Sequence, residues 1–169
     1  MMNDKTTIRY ERKIKGCIKN AKVFDEIVRG YGSFGRYVES FGNLNEEDAL
    51  ETLKINLMKK FEFLGPRTAY HFMLDMGLNV WKPDRVICRI LYRLGLIDDK
   101  NDIERAVKVG KEIAIKVGLP IRYIDIVFVK YGQRGAEEPF GLDDGICLEK
   151  NPRCYLCGVT EYCIRRTEP

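Results

Sequence analysis

The sequence predicts an all-α protein. Apolar residues recur at three- and four-residue steps through most of the 169 residues, and helix-stopping and helix-starting residues fall between those stretches. No segment alternates apolar and polar residues in the manner of a strand, and there is no internal repeat or low-complexity tract.

The elements follow in order. Over residues 8–28, Ile14, Cys17, Ile18, Ala21, Phe24 and Val28 outline one helix face, which Gly30 and Gly32 stop. Ser33 is placed to cap a short helix carrying Phe34, Tyr37, Val38 and Phe41. Asn45, followed by Glu46, Glu47 and Asp48, marks a third start, with acidic groups toward the positive end of the helix dipole and Leu50, Leu53 and Leu57 as its buried stripe. Pro66 opens a helix through Ala69, Phe72 and Met73 that stops at Gly77. After a connector at residues 79–83, Asp84 stands where an N-cap belongs. The helix it opens buries Val86, Ile87, Ile90, Leu91 and Leu94 and lines up Arg85, Arg89 and Arg93 at four-residue spacing. Asn101 is predicted to cap the next helix, with Ile103, Ala106, Val107, Gly110, Ile113 and Val117 inside, and Pro120 starts a last one through Ile121, Ile124, Val127 and Phe128. Residues 132–146, Gly-rich and acidic, read as a linker. The chain therefore divides into a helical domain at 1–131 and a linker with a cysteine segment at 132–169.

Apolar residues at 45% and charged residues at 32% suit a folded chain rather than a disordered one. No segment approaches the roughly 18–20 apolar residues of a membrane span, and the charged N-terminus lacks the apolar core of a secretory signal. A cytoplasmic location is expected. A net charge of +4 is too small to establish nucleic-acid binding, but it is segregated. Lys5, Arg9, Arg12, Lys13, Lys15, Lys19 and Lys22 crowd residues 1–22 against Asp4 and Glu11, while Glu46, Glu47, Asp48 and Glu51 form an acidic stretch.

Six cysteines are present, and four of them, Cys147, Cys154, Cys157 and Cys163, have the spacing x6-x2-x5 near the end of the chain. In a cytosolic chain such clustering reads as a metal site before a disulfide framework. Four thiolates fit either a structural Zn²⁺ or a [4Fe–4S] cluster. Lys150 and Arg153 project from the first loop, where backbone phosphates could meet them. Cys17 and Cys88 are expected on apolar faces, chemically inert.

A second constellation is Phe63-Leu64-Gly65-Pro66-Arg67-Thr68-Ala69, followed by Asp84-Arg85-Val86-Ile87. Gly65 permits a tight turn between two helices, and the helix behind it offers N–H groups to a phosphate.

Together these features resemble the helix-hairpin-helix DNA glycosylase superfamily. The cysteine spacing, with Asn151-Pro152-Arg153-Cys154 before the second ligand, is similar to the iron–sulfur loop of the endonuclease III and adenine glycosylase branch. Tyr31-Gly32-Ser33-Phe34, Tyr37, Phe41, the hairpin and Tyr70-x-Phe72-Met73 resemble the bacterial 3-methyladenine glycosylases. The resemblance implies a helical bundle with its hairpin at about 57–77, a C-terminal [4Fe–4S] loop on the four cysteines, double-stranded DNA as partner, and no membrane. It implies that residues 63–68, with Arg85, Lys150 and Arg153, contact DNA. Asp84 falls at the catalytic position, where a carboxylate beside C1′ of a flipped nucleotide stabilises charge on the sugar and orients water.

Two departures shape that expectation. Arg67 stands where bifunctional members carry a Schiff-base lysine; a guanidinium cannot serve as an amine nucleophile, so a monofunctional enzyme is expected, with Lys82 as an outlying amine. The helices that precede the first one in this family have no counterpart, so a second copy of the chain or another protein would complete the lobe, or the protein binds DNA without catalysis, as one half of a split glycosylase.

Simpler roles stand beside these. Asp84 can be a helix cap alone. Arg85, Arg89 and Arg93 read as a solvated face with phosphate contact as the alternative, and Tyr31, Phe34, Tyr37 and Phe41 read mostly as core. Trp81 either stacks on a base or covers the core, and His71 reads as a partly buried structural residue.

Overall fold

The computed structural model describes residues 10–135 and 144–164. All regular structure among them is helical: α1 (Glu11–Tyr31), α2 (Phe34–Glu39), α3 (Glu47–Lys60), α4 (Pro66–Asp75), α5 (Arg85–Arg93), α6 (Ile103–Val117), α7 (Ile121–Gly132) and two 3₁₀ turns at Cys154–Leu156 and Thr160–Tyr162. The chain divides into two compact units between Met73 and Leu74. Most of the 132–146 linker, residues 136–143, lies outside the described residues.

The first unit is built on Leu50, Leu53 and Leu57 of α3, Ala69, Tyr70 and Met73 of α4, and Tyr37 and Val38 of α2, all buried. Ser33 caps α2 as expected, its hydroxyl accepting from the Arg36 amide at 3.1 Å. Phe34 anchors an aromatic cluster, stacked on Phe24 at 5.1 Å and edge-on to Phe61 and Phe72. Lys54 is buried among these apolar groups because its ammonium meets Glu51 at 2.6 Å and the Tyr70 hydroxyl at 3.2 Å. Burial alone would lower its pKa, but those two partners outweigh it and leave the value raised.

Three expectations in this unit are corrected. α1 runs through Gly30 and ends at Gly32, whose φ of 82° closes the helix by the left-handed route. Glu46, not Asn45, occupies the N-cap position of α3; the Asn45 side chain is turned to Asn43 instead. The face of α1 turned inward carries Gly16 and Ile27, while Cys17 is exposed, as are Ile18 and Phe24 by about half. Gly16 sets this rotation. A β-carbon there would lie 2.5 Å from the Phe63 ring, so any larger residue would displace that ring from its seat on α1.

The second unit centres on α5, which packs against α6 and α7. Asp84 caps it as the sequence predicts, Oδ1 accepting from the Ile87 amide at 2.9 Å. Ile87, Cys88, Ile90 and Leu91 are buried with Val80, Trp81 and Pro83 of the preceding connector. α6 is capped by Asp102, whose carboxylate accepts from the Arg105 amide at 2.9 Å, rather than by Asn101. Trp81 is fully buried, edge-on to Phe128 at 5.1 Å, which settles its role as core and removes it from base stacking.

Gly110 makes room for Trp81, since a β-carbon at that position would overlap the indole ring. Gly110→Ala therefore forces the indole or α6 to move, at a cost of about 1–3 kcal/mol or more. Calorimetry is expected to show a thermal midpoint lower by about 4–8 °C for each kcal/mol lost.

Candidate functional site

The hairpin belongs to the first unit. Its left-handed residue is Phe63, with φ of 64°, and not Gly65, which has an ordinary φ. A side chain in that region costs about 1–2 kcal/mol, so other contacts must hold it there. Asn20 of α1 clasps the backbone of Glu62, its Oδ1 accepting from the Glu62 amide at 2.7 Å and its Nδ2 donating to the carbonyl at 3.0 Å. Lys19 adds an ion pair to the Glu62 carboxylate at 3.0 Å, and Arg12 lies over the Phe63 ring at 5.7 Å.

After that turn, Thr68 closes the loop on itself. Its hydroxyl accepts from the Gly65 amide at 2.7 Å and lies 3.0 Å from the Gly65 carbonyl. Thr68 is thus the residue that shapes the start of α4, with Phe63, Pro66 and Thr68 exposed and Leu64, Gly65 and Arg67 partly covered. An open concavity of about 430 Å³ beside the turn is lined by Lys59, Lys60 and Gly65 among others. Lys59 and Lys60, from the last turn of α3, bring positive charge to this hollow, and Glu62 brings one carboxylate to it.

The carboxylate and the cysteines belong to the second unit. Asp84 is partly exposed, and its second oxygen lies 3.6 Å from the Lys82 ammonium. One oxygen is therefore committed to the helix and the other faces a cation at the edge of solvent. Arg85, at the first position of α5, is exposed. His71, on α4, is exposed rather than partly buried.

Arg89 and Arg93 do not form a solvated stripe with it. Both are buried and reach the cysteine segment. Arg89 Nη2 donates to the carbonyls of Gly132 at 2.5 Å and Cys147 at 3.1 Å. Arg93 donates to the carbonyls of Leu148 at 2.7 Å and Glu149 at 3.2 Å, and to Cys147 Sγ at 3.2 Å. Burial lowers the pKa of Arg89 from its ordinary value, and Cys147 acts in the opposite direction. Neither guanidinium has a carboxylate in salt-bridge contact among the described residues.

Cys147, Cys154, Cys157 and Cys163 line one small cavity together with Arg93, Ile146, Pro152 and Thr160. Tyr131 donates its hydroxyl to Cys157 Sγ at 3.0 Å, and burial together with that bond pushes the phenol pKa upward. The Cys163 thiol donates to the Arg93 carbonyl at 3.3 Å. Among the described residues no group of three or more His, Cys, Asp or Glu is arranged to hold a metal ion. Lys150 is exposed, while Arg153 is partly buried and turned toward Asp144 at 4.0 Å. Cys88 is buried, as expected.

Several contributors have no motif of their own. Asn20, Gly16 and Tyr131 act through contacts more than 25 residues away in sequence, and the buried guanidiniums look like any arginines spaced along a helix. The four-residue spacing of Arg89 and Arg93 was the available signal, since one face of a helix reaches one neighbour.

Residues 1–83 match the family model described as methyladenine glycosylase. The similarity covers the hairpin and ends directly before Asp84. No curated protein and no solved structure matches the chain. No helix among the described residues is long and apolar enough to cross a membrane.

Arg93→Met keeps much of the side-chain volume but strands the carbonyls it satisfies. It is expected to destabilise the second unit by about 3 kcal/mol or more, because buried acceptors are left without donors. A lower urea midpoint with unchanged slope checks this.

Proposed function

We propose that this protein is a DNA N-glycosylase that releases a damaged base by hydrolysis, with alkylated purines of the methyladenine kind as its first substrate class. The observation that carries the reading is the match of residues 1–83, hairpin included, to the methyladenine glycosylase family. In this reading residues 63–68 grip the phosphate backbone of double-stranded DNA, assisted by Lys59 and Lys60, and Arg85, Lys150 and Arg153 add phosphate contacts. Asp84 acts at the flipped nucleotide. Its Oδ1 is fixed by the Ile87 amide, so Oδ2 is the oxygen left to stabilise the sugar cation and orient water. Arg67 offers no amine at the hairpin, which favours a monofunctional enzyme.

We infer further that the four cysteines hold a [4Fe–4S] cluster. The donor set supports it: four sulfurs surround one cavity, and two of them receive hydrogen bonds from Arg93 and Tyr131. A sulfur-bound metal centre carries net negative charge, which answers the two buried guanidiniums that have no carboxylate in salt-bridge contact among the described residues. A cubane takes one cysteine at each of four irons and so asks for sulfurs around a volume, whereas zinc asks for four around a point. When bound, such a cluster would tie the C-terminal segment together, and the base-release chemistry stays with Asp84. The alternative, a non-catalytic DNA-binding module or one half of a split glycosylase, is favoured by the exposed apolar residues Ile18 and Phe24 on α1.

Asp84→Asn separates enzyme from binding module. Asparagine caps a helix as well as aspartate does, so stability should change by less than about 1 kcal/mol. Base release from methylated duplex DNA should fall about 100-fold or more with duplex binding retained. Equal binding with no release by the wild type would favour the module. Anaerobic reconstitution with iron and sulfide should bind about four irons per chain with broad visible absorption; tight binding of one zinc with no iron uptake would replace the cluster by a zinc site.

A further inference from the structure

The first helix carries a charged face beside the hairpin whose role neither the motif reading nor the family similarity assigns. Arg12, Lys15 and Lys19 of α1 are exposed. They recur at steps of three and four residues and so share one side of the helix. Together with Glu11, Glu62 and the buried Gly16 they line an open hollow of about 500 Å³. Glu62 also lines the hollow that Lys59 and Lys60 border, so the two adjoin at the hairpin turn.

Charge and rigidity make these hollows one surface. Arg12, Lys15, Lys19, Lys59 and Lys60 outnumber the two carboxylates, Glu11 and Glu62. Both carboxylates are engaged, Glu11 with Lys15 at 2.6 Å and Glu62 with Lys19 at 3.0 Å. The Lys15 pair is exposed and joins neighbours on one helix, so it holds its lysine weakly and a phosphate can compete for it. Arg12 is placed differently. Its guanidinium lies 5.7 Å from the centroid of the Phe63 ring, a contact that orients the fork and leaves its charge available. The Asn20 side chain meanwhile holds the Glu62 backbone at 2.7 and 3.0 Å, which fixes the helix face and the turn at a set separation.

We propose that the duplex-binding surface continues from the hairpin onto α1, with Arg12 and Lys15 taking DNA phosphates beyond those gripped by residues 63–68. Lys19 chiefly braces the turn through Glu62. From Arg12 to Lys19 the helix rises about 10 Å. Duplex DNA carries one charge per about 1.7 Å of its axis, so a face of this length meets more than one phosphate. Such contacts hold the register of the duplex and carry no base preference. The inference rests on the double-stranded DNA part of the glycosylase reading and not on base release.

The test uses the full chain and an undamaged DNA duplex, with binding followed by fluorescence anisotropy between about 50 and 200 mM salt. Arg12→Gln/Lys15→Gln should weaken binding about 10-fold or more at the low-salt end and reduce the salt slope by about 2. Lys111→Gln/Lys116→Gln on α6 removes the same charge elsewhere and should keep the wild-type slope. Glutamine is a good helix former, so circular dichroism should show unchanged helix content. If that content falls, Lys15→Gln alone decides, with an expected slope reduction of about 1. A wild-type slope in the α1 variant, or an equal loss in the α6 variant, overturns the proposal. Base release that persists beside an unchanged slope removes the α1 surface and leaves the enzyme. A reduced slope in a protein that releases no base keeps the α1 surface and overturns the enzyme. Wild-type protein without salt-dependent duplex binding overturns both.

Discussion

The hydrogen bonds of Arg89 and Arg93 to the cysteine segment are the constraint from which the rest of the second unit follows. A buried guanidinium is tolerated only when its donors are satisfied and its charge is answered. Here main-chain carbonyls satisfy the donors and cysteine sulfur stands where a carboxylate would otherwise be needed. The segment after α7 leaves most of its apolar side chains exposed, with Leu148 the hydrophobic residue it buries among the described residues. Its position is therefore set by polar contacts to α5 and by the amides of Ile146 and Cys147, which both donate to the Tyr131 carbonyl at 2.8 Å. Since α5 is capped by Asp84 and ends at Arg93, one nine-residue helix has the candidate carboxylate at its entrance and the sulfur contacts at its end.

The fold was legible wherever local rules decide it. Ser33, Pro66, Asp84, Gly32 and Gly77 each act where helix-boundary chemistry places them, and the leucine stripe of α3 is buried as its period requires. Caps failed where two candidates compete within a residue or two: Asn45 against Glu46 and Asn101 against Asp102 differ by side-chain turns that propensity does not rank. The orientation of α1 was not legible because a glycine carries no hydrophobic signal, yet Gly16 decides which face turns inward. Arg89 and Arg93 were misplaced for the opposite reason. Charge predicts exposure, and only the carbonyls and sulfurs of a distant segment make their burial affordable. At the candidate sites the sequence named Asp84, the hairpin and the cysteines, while Asn20 and Tyr131 came from tertiary contacts.

The hairpin shows how a first helix without sequence identity to the turn can still define it. Phe63 occupies a backbone region that glycine would enter freely, and the strain is held by Asn20 on the neighbouring peptide and by the ring's seat against Gly16. The turn is thus pinned from α1 rather than by its own residues. The open hollow beside the turn is lined by the same Glu62 and Phe63 that α1 contacts, so its wall is shared between the turn and the first helix.

Trp81 is the sole tryptophan of the chain, and it sits sealed between α6 and α7 in the second unit. Its emission therefore comes from a dry, aromatic-walled site on one side of the boundary at Met73, while the first unit, rich in tyrosine and phenylalanine, is nearly dark at the same wavelengths. The molecule carries a built-in optical label for one half of itself. Emission would follow the half that bears the carboxylates and the cysteines, and circular dichroism would follow all the helices. Any gap between the two signals during unfolding would show directly whether the units come apart as one body or in sequence.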